Sequence, residues 1–426
     1  MVVTGPGEIY REQDLAIYLA ARFFSEAAAL AQSVAIGWTV YALSNAPLAL
    51  GIVGIVQFVP MMLLALPAGE LCDRLSPRRV LVIGLGLQSV CAVGFLALSI
   101  IPQPALWPFY VVLLVFGAGR AFTDPAGQAL LPFLVPADRL PRAIAWGSSA
   151  WQVAVIAGPA LGGVAYTLGP AIAYGFCACG FFAAMLAAVA LKGRRPAPAE
   201  SASLRDRMAR VIEGIGFVWS QPIVLGAVSL DLFAVLLGGA TALLPIYARD
   251  ILHVGPIGLG LLQSAPAAGA CVIALAQVRH PPNRHVGLQL FAAVAVFGIS
   301  TLIFAFSTSF ALSLASLVVL GASDMVSVNI RALLTQLATP DPMRGRVSAV
   351  SMLFIGASSE LGAFESGVAA ALLGTVPAVA LGGVGTLVIA AVWMRVFPAL
   401  RRADRLVSVA ATASGCRRAR SPQTIS

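Results

Sequence analysis

The sequence predicts an all-α membrane protein with twelve transmembrane helices in two related halves of six. Three observations indicate this fold class: the composition, a series of long apolar stretches, and the placement of arginine between them. Of the 426 residues, 59% are hydrophobic and only 11% are charged, whereas a soluble domain averages about 25% charged residues. A soluble core could not bury this much apolar surface, so the surrounding solvent is lipid.

Each apolar stretch is long enough for a helix to cross the hydrocarbon layer, which takes about 20 residues. Backbone polar groups find no water in lipid and must be satisfied within the segment, so the stretches are expected to be helices. The expected spans are residues 15–42, 48–68, 80–101, 107–134, 143–167, 170–191, 223–247, 256–278, 287–307, 310–338, 347–373 and 376–397.

The basic residues fix the predicted orientation. We number the gaps between successive spans from one to eleven along the chain. Of the 27 lysines and arginines, three lie within spans and only Arg249 lies in an odd-numbered gap. The others fall in the tails, in even-numbered gaps, or at the edges of these segments. Basic loops stay on the cytoplasmic side of a membrane, so both termini are expected in the cytoplasm of a multi-pass plasma (inner) membrane protein. The net charge of +9 is therefore interpreted as loops facing anionic lipid rather than nucleic acid.

The expected domains are a tail (residues 1–14), a first half (15–191), a linker (192–222), a second half (223–397) and a C-terminal tail (398–426). The linker carries apolar residues at helical spacing over residues 204–219, which predicts an amphipathic helix on the inner membrane surface. Gly54-x-x-Gln57-x-x-Pro60 recurs 206 residues later as Gly260-x-x-Gln263-x-x-Pro266. This repeat indicates two duplicated halves, an architecture typical of transporters.

The gap between spans two and three reads Gly69-Glu-Leu-Cys-Asp73-Arg74-Leu-Ser-Pro-Arg78-Arg79. This pattern resembles the signature loop of the major facilitator superfamily. In that family, a glycine permits close helix approach, an aspartate pairs across an inner gate, and arginines hold the loop at the membrane face. The resemblance therefore implies an inner-gate loop formed by Gly69, Asp73, Arg74, Arg78 and Arg79. Ser76 and Pro77 stand where the family has a second glycine and a following arginine.

A further motif, Gly158-Pro159-x-x-Gly162-Gly163, resembles the core of the antiporter motif of this superfamily. The alternative interpretation is simple small-residue packing, which occurs in many membrane bundles. Three sequence segments, which begin at Gly119, Asp231 and Glu360, resemble segments of the drug and siderophore exporters, a branch of this superfamily.

Ionisable side chains within the spans are candidates for function, because each costs at least ~2.5–3.5 kcal/mol at mid-bilayer unless it faces water or a partner. Seven of the nine lie on spans one, four, seven and ten, and two lie on span eleven. The family resemblance implies that the first four of these spans line a central cavity. The nine are Arg22, Glu26, Arg120, Asp124, Asp231, Asp324, Arg331, Glu360 and Glu365.

Spacing predicts which of these charges share a helix face. Glu26 follows Arg22 by four residues, Asp124 follows Arg120 by four, and Asp324 precedes Arg331 by seven. We expect a charge network from Arg22, Glu26, Arg120, Asp124, Asp324 and Arg331. Either this network breaks and re-forms during transport, or it is static and only holds the bundle together.

Proton coupling requires a carboxyl group that can release and rebind a proton, and a neighbouring arginine opposes protonation. Asp231, Glu360 and Glu365 have no arginine near them in sequence, and Asp231 is favoured because it lies on a cavity span. Glu26 is a further candidate for proton coupling.

Uncharged polar residues within the spans are candidates for substrate contact. They are Gln57, Gln128, Gln263, Asn329 and Gln336. The alternative for each is a hydrogen bond between helices.

These features predict a proton-coupled secondary exporter of a small amphipathic molecule, either a drug or a siderophore, without cofactor or metal and expected to be monomeric. The alternatives are an uptake symporter of the same fold and a non-transporting, receptor-like member. An enzyme is disfavoured because the sequence has no HExxH or GxSxG motif, so no catalytic residue is assigned. An ATP-driven pump is disfavoured because the single lysine, Lys192, lies in no phosphate-binding loop.

On this reasoning, Asp231→Asn is expected to abolish export driven by a pH gradient while the protein remains folded and inserted. Drug resistance in cells that express the variant at the normal level measures this. Full resistance would exclude an essential role for Asp231.

Overall fold

The computed structural model describes residues 6–192, 204–280 and 284–403. The side chains of residues 6–12, 65, 66, 73, 74, 204–207, 210 and 353 are not described. The proposed C-terminal tail beyond residue 403 and the Pro/Ala/Ser-rich start of the linker therefore lie outside the described residues.

The described parts of the chain are helical and contain no strand, and twelve segments are long and apolar enough to cross a membrane. The predicted fold class is thus confirmed, with span boundaries that mostly shift by a few residues. The helices are α1 (Pro6–Ser44), α2 (Pro47–Arg74), α3 (Pro77–Ile100), α4 (Trp107–Leu134), α5 (Leu140–Leu168), α6 (Pro170–Ala190), α7 (Leu204–Ser220), α8 (Pro222–Leu237), α9 (Leu244–Ile246), α10 (Gly255–Arg279), α11 (Val286–Phe306), α12 (Phe310–Ala338), α13 (Asp341–Leu373), α14 (Thr375–Val396) and α15 (Pro398–Arg401).

The seventh span is not the continuous helix that the sequence predicted. It consists of α8, a 3₁₀ turn over Ala240–Leu243, the short α9, and a π-helical turn over Tyr247–Ile251. The break follows two adjacent glycines, which are poor helix formers. A β-carbon on Gly239 would lie 2.6 Å from the carbonyl oxygen of Gly362, so only glycine fits there.

The chain forms two compact units whose boundary also falls at this break. Unit 1 comprises Met1–Arg207 and Thr241–Ala267, and unit 2 comprises Met208–Ala240 and Ala268–Ser426. The predicted second half, residues 223–397, is therefore divided, because its segment 241–267 groups with the first six spans. Most of the amphipathic linker helix, from Met208 onward, groups with unit 2.

In unit 1, α1 packs against α5 and α6, α2 packs against α4, and α3 packs against α4 and α6. The buried rings of Phe95, Phe109 and Tyr174 stack at the centre of this packing, with centroids 5.6 to 6.1 Å apart. These aromatic contacts join α3, α4 and α6.

Glycine allows α5 to touch its neighbours on two sides. A β-carbon on Gly158 would lie 2.9 Å from the Ala27 carbonyl oxygen of α1, and one on Gly162 would lie 2.6 Å from the Ala31 α-carbon. On another side, a β-carbon on Gly163 would clash with the carbonyl group of Pro256 in α10. The motif thus works in the structure as a close-packing strip.

In unit 2, α11 packs against α12 and α14, and α8 packs against α13 and α14. The core between them contains Leu230, Leu290, Phe291 and Leu334. The indole nitrogen of Trp393 donates a hydrogen bond of 2.9 Å to Ser229, which joins α14 to α8.

The segment for which the sequence predicts an amphipathic helix forms α7, and its apolar residues divide into two groups. Val211 and Ile215 pack toward α13, in a cluster that includes Val347 and Val350. A second group, Met208, Ile212 and Trp219, is exposed. Glu213 forms an ion pair with Arg346 of α13. The helix is therefore attached to the bundle along one face, and the position of its exposed face on the membrane surface stays a prediction.

We expect Gly162→Ala to lower the melting temperature of the protein, because its methyl group would overlap the backbone of α1, and overpacking of this kind typically costs about 1–3 kcal/mol. Gly175→Ala on α6 is the matched control, since no described atom outside the adjoining backbone of its own helix lies within 4 Å of the position that its new β-carbon would take. Thermal unfolding of both variants in detergent compares them. Equal melting temperatures would contradict the close approach of α5 and α1.

Candidate functional site

Four of the predicted network charges meet in one cavity of unit 1. Arg22 and Glu26 reach it from α1, and Arg120 and Asp124 reach it from α4. The cavity measures about 380 Å³, and its other walls come from α3 and α5. All four side chains are half-buried, so this cavity gathers two cations and two carboxylates within a membrane-spanning bundle.

Hydrogen bonds between helices shape this cavity. The Tyr18 hydroxyl donates to the carbonyl oxygen of Gly127 at 3.0 Å, and Arg22 Nη1 donates to the Tyr18 oxygen at 3.4 Å. The Gln88 amide donates to the Thr123 hydroxyl at 3.0 Å. These contacts tie α1 and α3 to α4, and they hold Arg22 toward the cavity.

Sequence reasoning missed several residues that line this cavity. Tyr18 precedes Arg22 by one helical turn, so the same i,i+4 spacing that paired Arg22 with Glu26 could have found it. Gln88 and Trp151 lie on α3 and α5, and no local pattern connects them with α1 or α4. Gln32, a further buried polar residue of α1, has no hydrogen-bond partner for its side-chain amide among the described residues.

The other charged cluster lies in unit 2, between α8 and α12. Arg331 forms an ion pair with Asp231, and both side chains are nearly buried, with 9% and 11% of their surface exposed. Asp324 is the third member, with Oδ1 4.0 Å from Arg331 Nη2. Two carboxylates therefore share one guanidinium.

This cluster changes the argument about Asp231. The sequence argument favoured Asp231 because no arginine lies near it in the chain, yet the structure places Arg331, one hundred residues away, directly against it. A paired arginine favours the ionised carboxylate. The predicted pairing of Asp324 with Arg331 on one face of α12 agrees with the structure, but Arg331 lies closer to Asp231.

The other two carboxylates proposed for proton coupling lie on α13. Glu360 is half-buried and Glu365 is exposed. Neither lines the two cavities that hold the charged clusters. Their role stays a prediction.

The uncharged polar candidates occupy different environments. Gln128 lines the charged cavity of unit 1. Asn329 instead hydrogen-bonds across helices, its amide donating to Gln277 Oε1 of α10. Gln57 and Gln263 are half-buried and Gln336 is exposed. Of the five, Gln128 is thus the one placed with the charges.

The residues of the predicted inner-gate loop are helical in the structure, because α2 extends to Arg74 and α3 begins at Pro77. Gly69, Asp73 and Arg74 therefore lie at the end of α2, and Arg78 and Arg79 lie in the first turn of α3. Arg78 donates to the backbone carbonyl oxygens of Ala188 and Val189, so it caps the C-terminal end of α6, where a cation is favoured by the helix dipole. Gly69 is half-buried and Arg79 is exposed. The side chains of Asp73 and Arg74 lie outside the described residues.

Helix α5, which carries the antiporter-like motif, is also bound to α10 by polar contacts on the N-terminal side of the motif. The Ser264 hydroxyl donates to the Ile156 carbonyl oxygen at 2.7 Å, three residues before Pro159. The Gln152 amide donates to the Ala267 carbonyl oxygen at 2.9 Å. These bonds, together with the contact at Gly163, hold α5 and the first part of α10 together within unit 1.

Arg249, the exception to the arginine pattern, is paired in the structure. Its guanidinium lies 5.4 Å from the centre of the Tyr41 ring and 3.8 Å from Asp250. The Tyr41 hydroxyl donates to Asp250. This Tyr41–Arg249–Asp250 cluster joins the end of α1 to the end of the seventh span, both within unit 1.

A helical membrane protein of twelve spans with charged side chains gathered within those spans has the features of a secondary transporter of the major facilitator superfamily. The chain belongs to the transmembrane secretion effector family, whose sequence pattern matches residues 8–414. It is therefore a multi-pass inner-membrane transporter of small molecules, and its relatives and fold are those of transporters rather than enzymes.

Relatives of known name support this assignment. The enterobactin exporter EntS of Citrobacter koseri is 25% identical over 366 residues, which cover 83% of this chain and 84% of that protein. EntS of Escherichia coli O157:H7 matches with the same identity and coverage.

Solved structures share the fold at low sequence identity. A peptide transporter POT in complex with sulfate has a TM-score of 0.71 and 13% identity, covering 92% of this chain and 96% of that one. A bacterial homologue of the human lysosomal transporter Spinster has a TM-score of 0.69 and 11% identity, covering 95% and 98%. At this identity the likeness concerns the fold alone.

We expect Arg331→Gln to destabilise the protein strongly, because it leaves Asp231 buried without its cation. Removing one partner of a buried ion pair typically costs about 3–5 kcal/mol. Thermal unfolding in detergent measures the loss. Arg344→Gln is the matched control, since Arg344 pairs with Asp341 at an exposed site, where such pairs contribute about 0–1 kcal/mol.

The double variant Asp231→Asn/Arg331→Gln removes both buried charges and is expected to recover most of the lost stability. A melting temperature of Arg331→Gln that equals that of Arg344→Gln would refute the structural importance of the pair.

Proposed function

We propose that the protein is a proton-coupled exporter of a small amphipathic molecule, drug-like or siderophore-like, that works by alternating access. The observation that carries this proposal is the cavity of unit 1, where Arg22, Glu26, Arg120 and Asp124 lie together at membrane depth. Such charges are costly in hydrocarbon and mark substrate or ion pathways in membrane proteins.

The chemistry of this cavity suits an amphipathic substrate. Its charged wall offers two guanidinium groups for anionic or hydroxyl-rich groups, while Leu30, Leu81 and Trp151 provide apolar contacts. The EntS relatives are named for export of enterobactin, which supports a siderophore-like substrate. Gln128 is the uncharged polar residue that we assign to substrate contact.

For the proton site we assign the unit 2 cluster, and within it Asp324 rather than Asp231. Two carboxylates around one arginine carry an excess negative charge, so one of them can accept a proton without leaving Arg331 unpaired. Asp231 holds Arg331 in the tighter pair, whereas Asp324 is more distant and its side chain is 43% exposed. Asp324 is thus the carboxylate that we assign to proton exchange, while Asp231 keeps its ion pair with Arg331.

The arrangement in the membrane follows from the arginines. We assign both termini, the linker and the α2–α3 loop to the cytoplasm, because the basic residues concentrate in those segments. The Tyr41–Arg249–Asp250 cluster then lies at the outer face. We retain Asp73 as a predicted inner-gate residue on the family resemblance, and we expect a monomer without ATP or nucleic-acid partners.

Everted membrane vesicles test the proposal. With an acidic lumen, a proton-coupled exporter should accumulate a fluorescent dye or siderophore inside, because protons leave as the substrate enters. An uncoupler should collapse this accumulation. Asp324→Asn is expected to lose the dependence on the pH gradient but to keep exchange of labelled for unlabelled substrate, since exchange requires no net proton movement.

Asp341→Asn is the matched control, as Asp341 is an exposed aspartate at the start of α13, and it should transport normally. Normal gradient-driven accumulation by Asp324→Asn would exclude Asp324 as the proton carrier. Accumulation only in right-side-out vesicles with acid outside would indicate an uptake symporter. Absence of transport in both orientations, with folded protein, would favour a receptor-like role.

A further inference from the structure

A second cavity lies in unit 1, away from the charged cavity. It is formed by residues 15–19 of α1, the connection that follows α4 and the beginning of α5, and it measures about 470 Å³. Leu15 lies two residues inside the first membrane span, which begins at Gln13, and Arg139 directly precedes the fifth, which begins at Leu140. The cavity therefore lies at the surface end of the membrane spans.

Both charged side chains that the structure describes in this cavity are positive. Among the nine described residues that line it, two are arginines, Arg139 and Arg142, and none is acidic. Both arginines are exposed, so their guanidinium groups are accessible from the surface. They belong to the first turn of α5, where the helix dipole also favours an anion.

The rest of the wall is apolar. Leu15 and Leu19 come from α1, Val135 follows α4, and Trp146 lies one turn beyond Arg142 on α5. The Trp146 side chain is 53% exposed. Tryptophan is enriched at the boundary between headgroups and hydrocarbon, so the cavity presents cations beside an apolar, interfacial surface.

We infer that this cavity binds an anionic phospholipid of the inner leaflet. Its phosphate group would lie against Arg139 and Arg142, and an acyl chain would run along Leu19 and Trp146. Basic pockets between membrane helices on the cytoplasmic side bind anionic headgroups by this combination of charge and position. The substrate cavity differs, because it carries both signs of charge.

The choice of the inner leaflet rests on the cytoplasmic orientation assigned under the proposed function. The binding of an anionic lipid rests only on the residues that line the cavity. A reversed orientation would leave the affinity for anionic lipid intact. Failure of proton coupling or of substrate transport would likewise leave it unchanged, because the tests below measure lipid binding without transport.

Thermal unfolding of the purified full-length protein in neutral detergent tests the site. Added phosphatidylglycerol should raise the melting temperature, because a ligand that binds the folded state stabilises it. Phosphatidylcholine and inorganic phosphate should have little effect. The double variant Arg139→Gln/Arg142→Gln should need at least tenfold more phosphatidylglycerol for half-maximal stabilisation.

Arg395→Gln is the matched control, because Arg395 is an exposed arginine at the end of α14 and lies outside the cavity; its lipid requirement should change less than twofold. Equal stabilisation of the double variant and the unaltered protein would overturn the inference. So would equal stabilisation by phosphatidylcholine. Stabilisation by inorganic phosphate alone would indicate a free-anion site instead of a lipid site.

A second measurement does not depend on the arginine variants. Phosphatidylglycerol with brominated acyl chains quenches tryptophan fluorescence at short range, and we expect Trp146→Phe to remove the quenching component that saturates at the lowest lipid concentration. An identical quenching curve in Trp146→Phe would contradict the placement of the acyl chain.

Discussion

The lack of water in the hydrocarbon layer is the constraint on which the structure depends. Every backbone polar group must be satisfied within the protein, so the spans are helices. Every charged side chain must find a cavity or a partner, so the charges within the spans gather at a few places. Near the end of the seventh span, Arg249 is likewise paired, with Tyr41 and Asp250.

The two charged clusters satisfy this constraint differently. In unit 1, equal numbers of cations and carboxylates surround a cavity large enough for part of an organic molecule. In unit 2, two carboxylates enclose a single arginine, and the space beside them is small. A balanced cluster beside a large cavity suits exchange of partners with a substrate, and an unbalanced cluster with one exposed carboxylate suits exchange of a proton. The proposed division of labour rests on this difference in charge and volume.

Most of the fold could be predicted from the sequence because its determinants are local. Span length, apolar composition and the placement of arginine all act over about 20 residues, and the i,i+4 pairs on α1 and α4 are local too. The Asp231–Arg331 pair could not be predicted, because it joins helices one hundred residues apart. The hydrogen bond from Gln88 to Thr123 joins α3 and α4 in the same way. The adjacent glycines 238 and 239 could have predicted the break in the seventh span. The span was predicted as continuous because its apolar composition is continuous.

The grouping of Thr241–Ala267 with unit 1 has a consequence for how the chain can be divided. Sequence repeats suggest that a cut in the linker would yield two self-sufficient pieces. Gly163 and Gln152 of α5, however, contact Pro256 and Ala267, which come from the later piece. A fragment that stops before residue 222 would leave that face of α5 open to lipid, with the Gln152 amide deprived of its acceptor. Assembly of the N-terminal unit during synthesis is thus complete only after the ribosome has passed the eighth span.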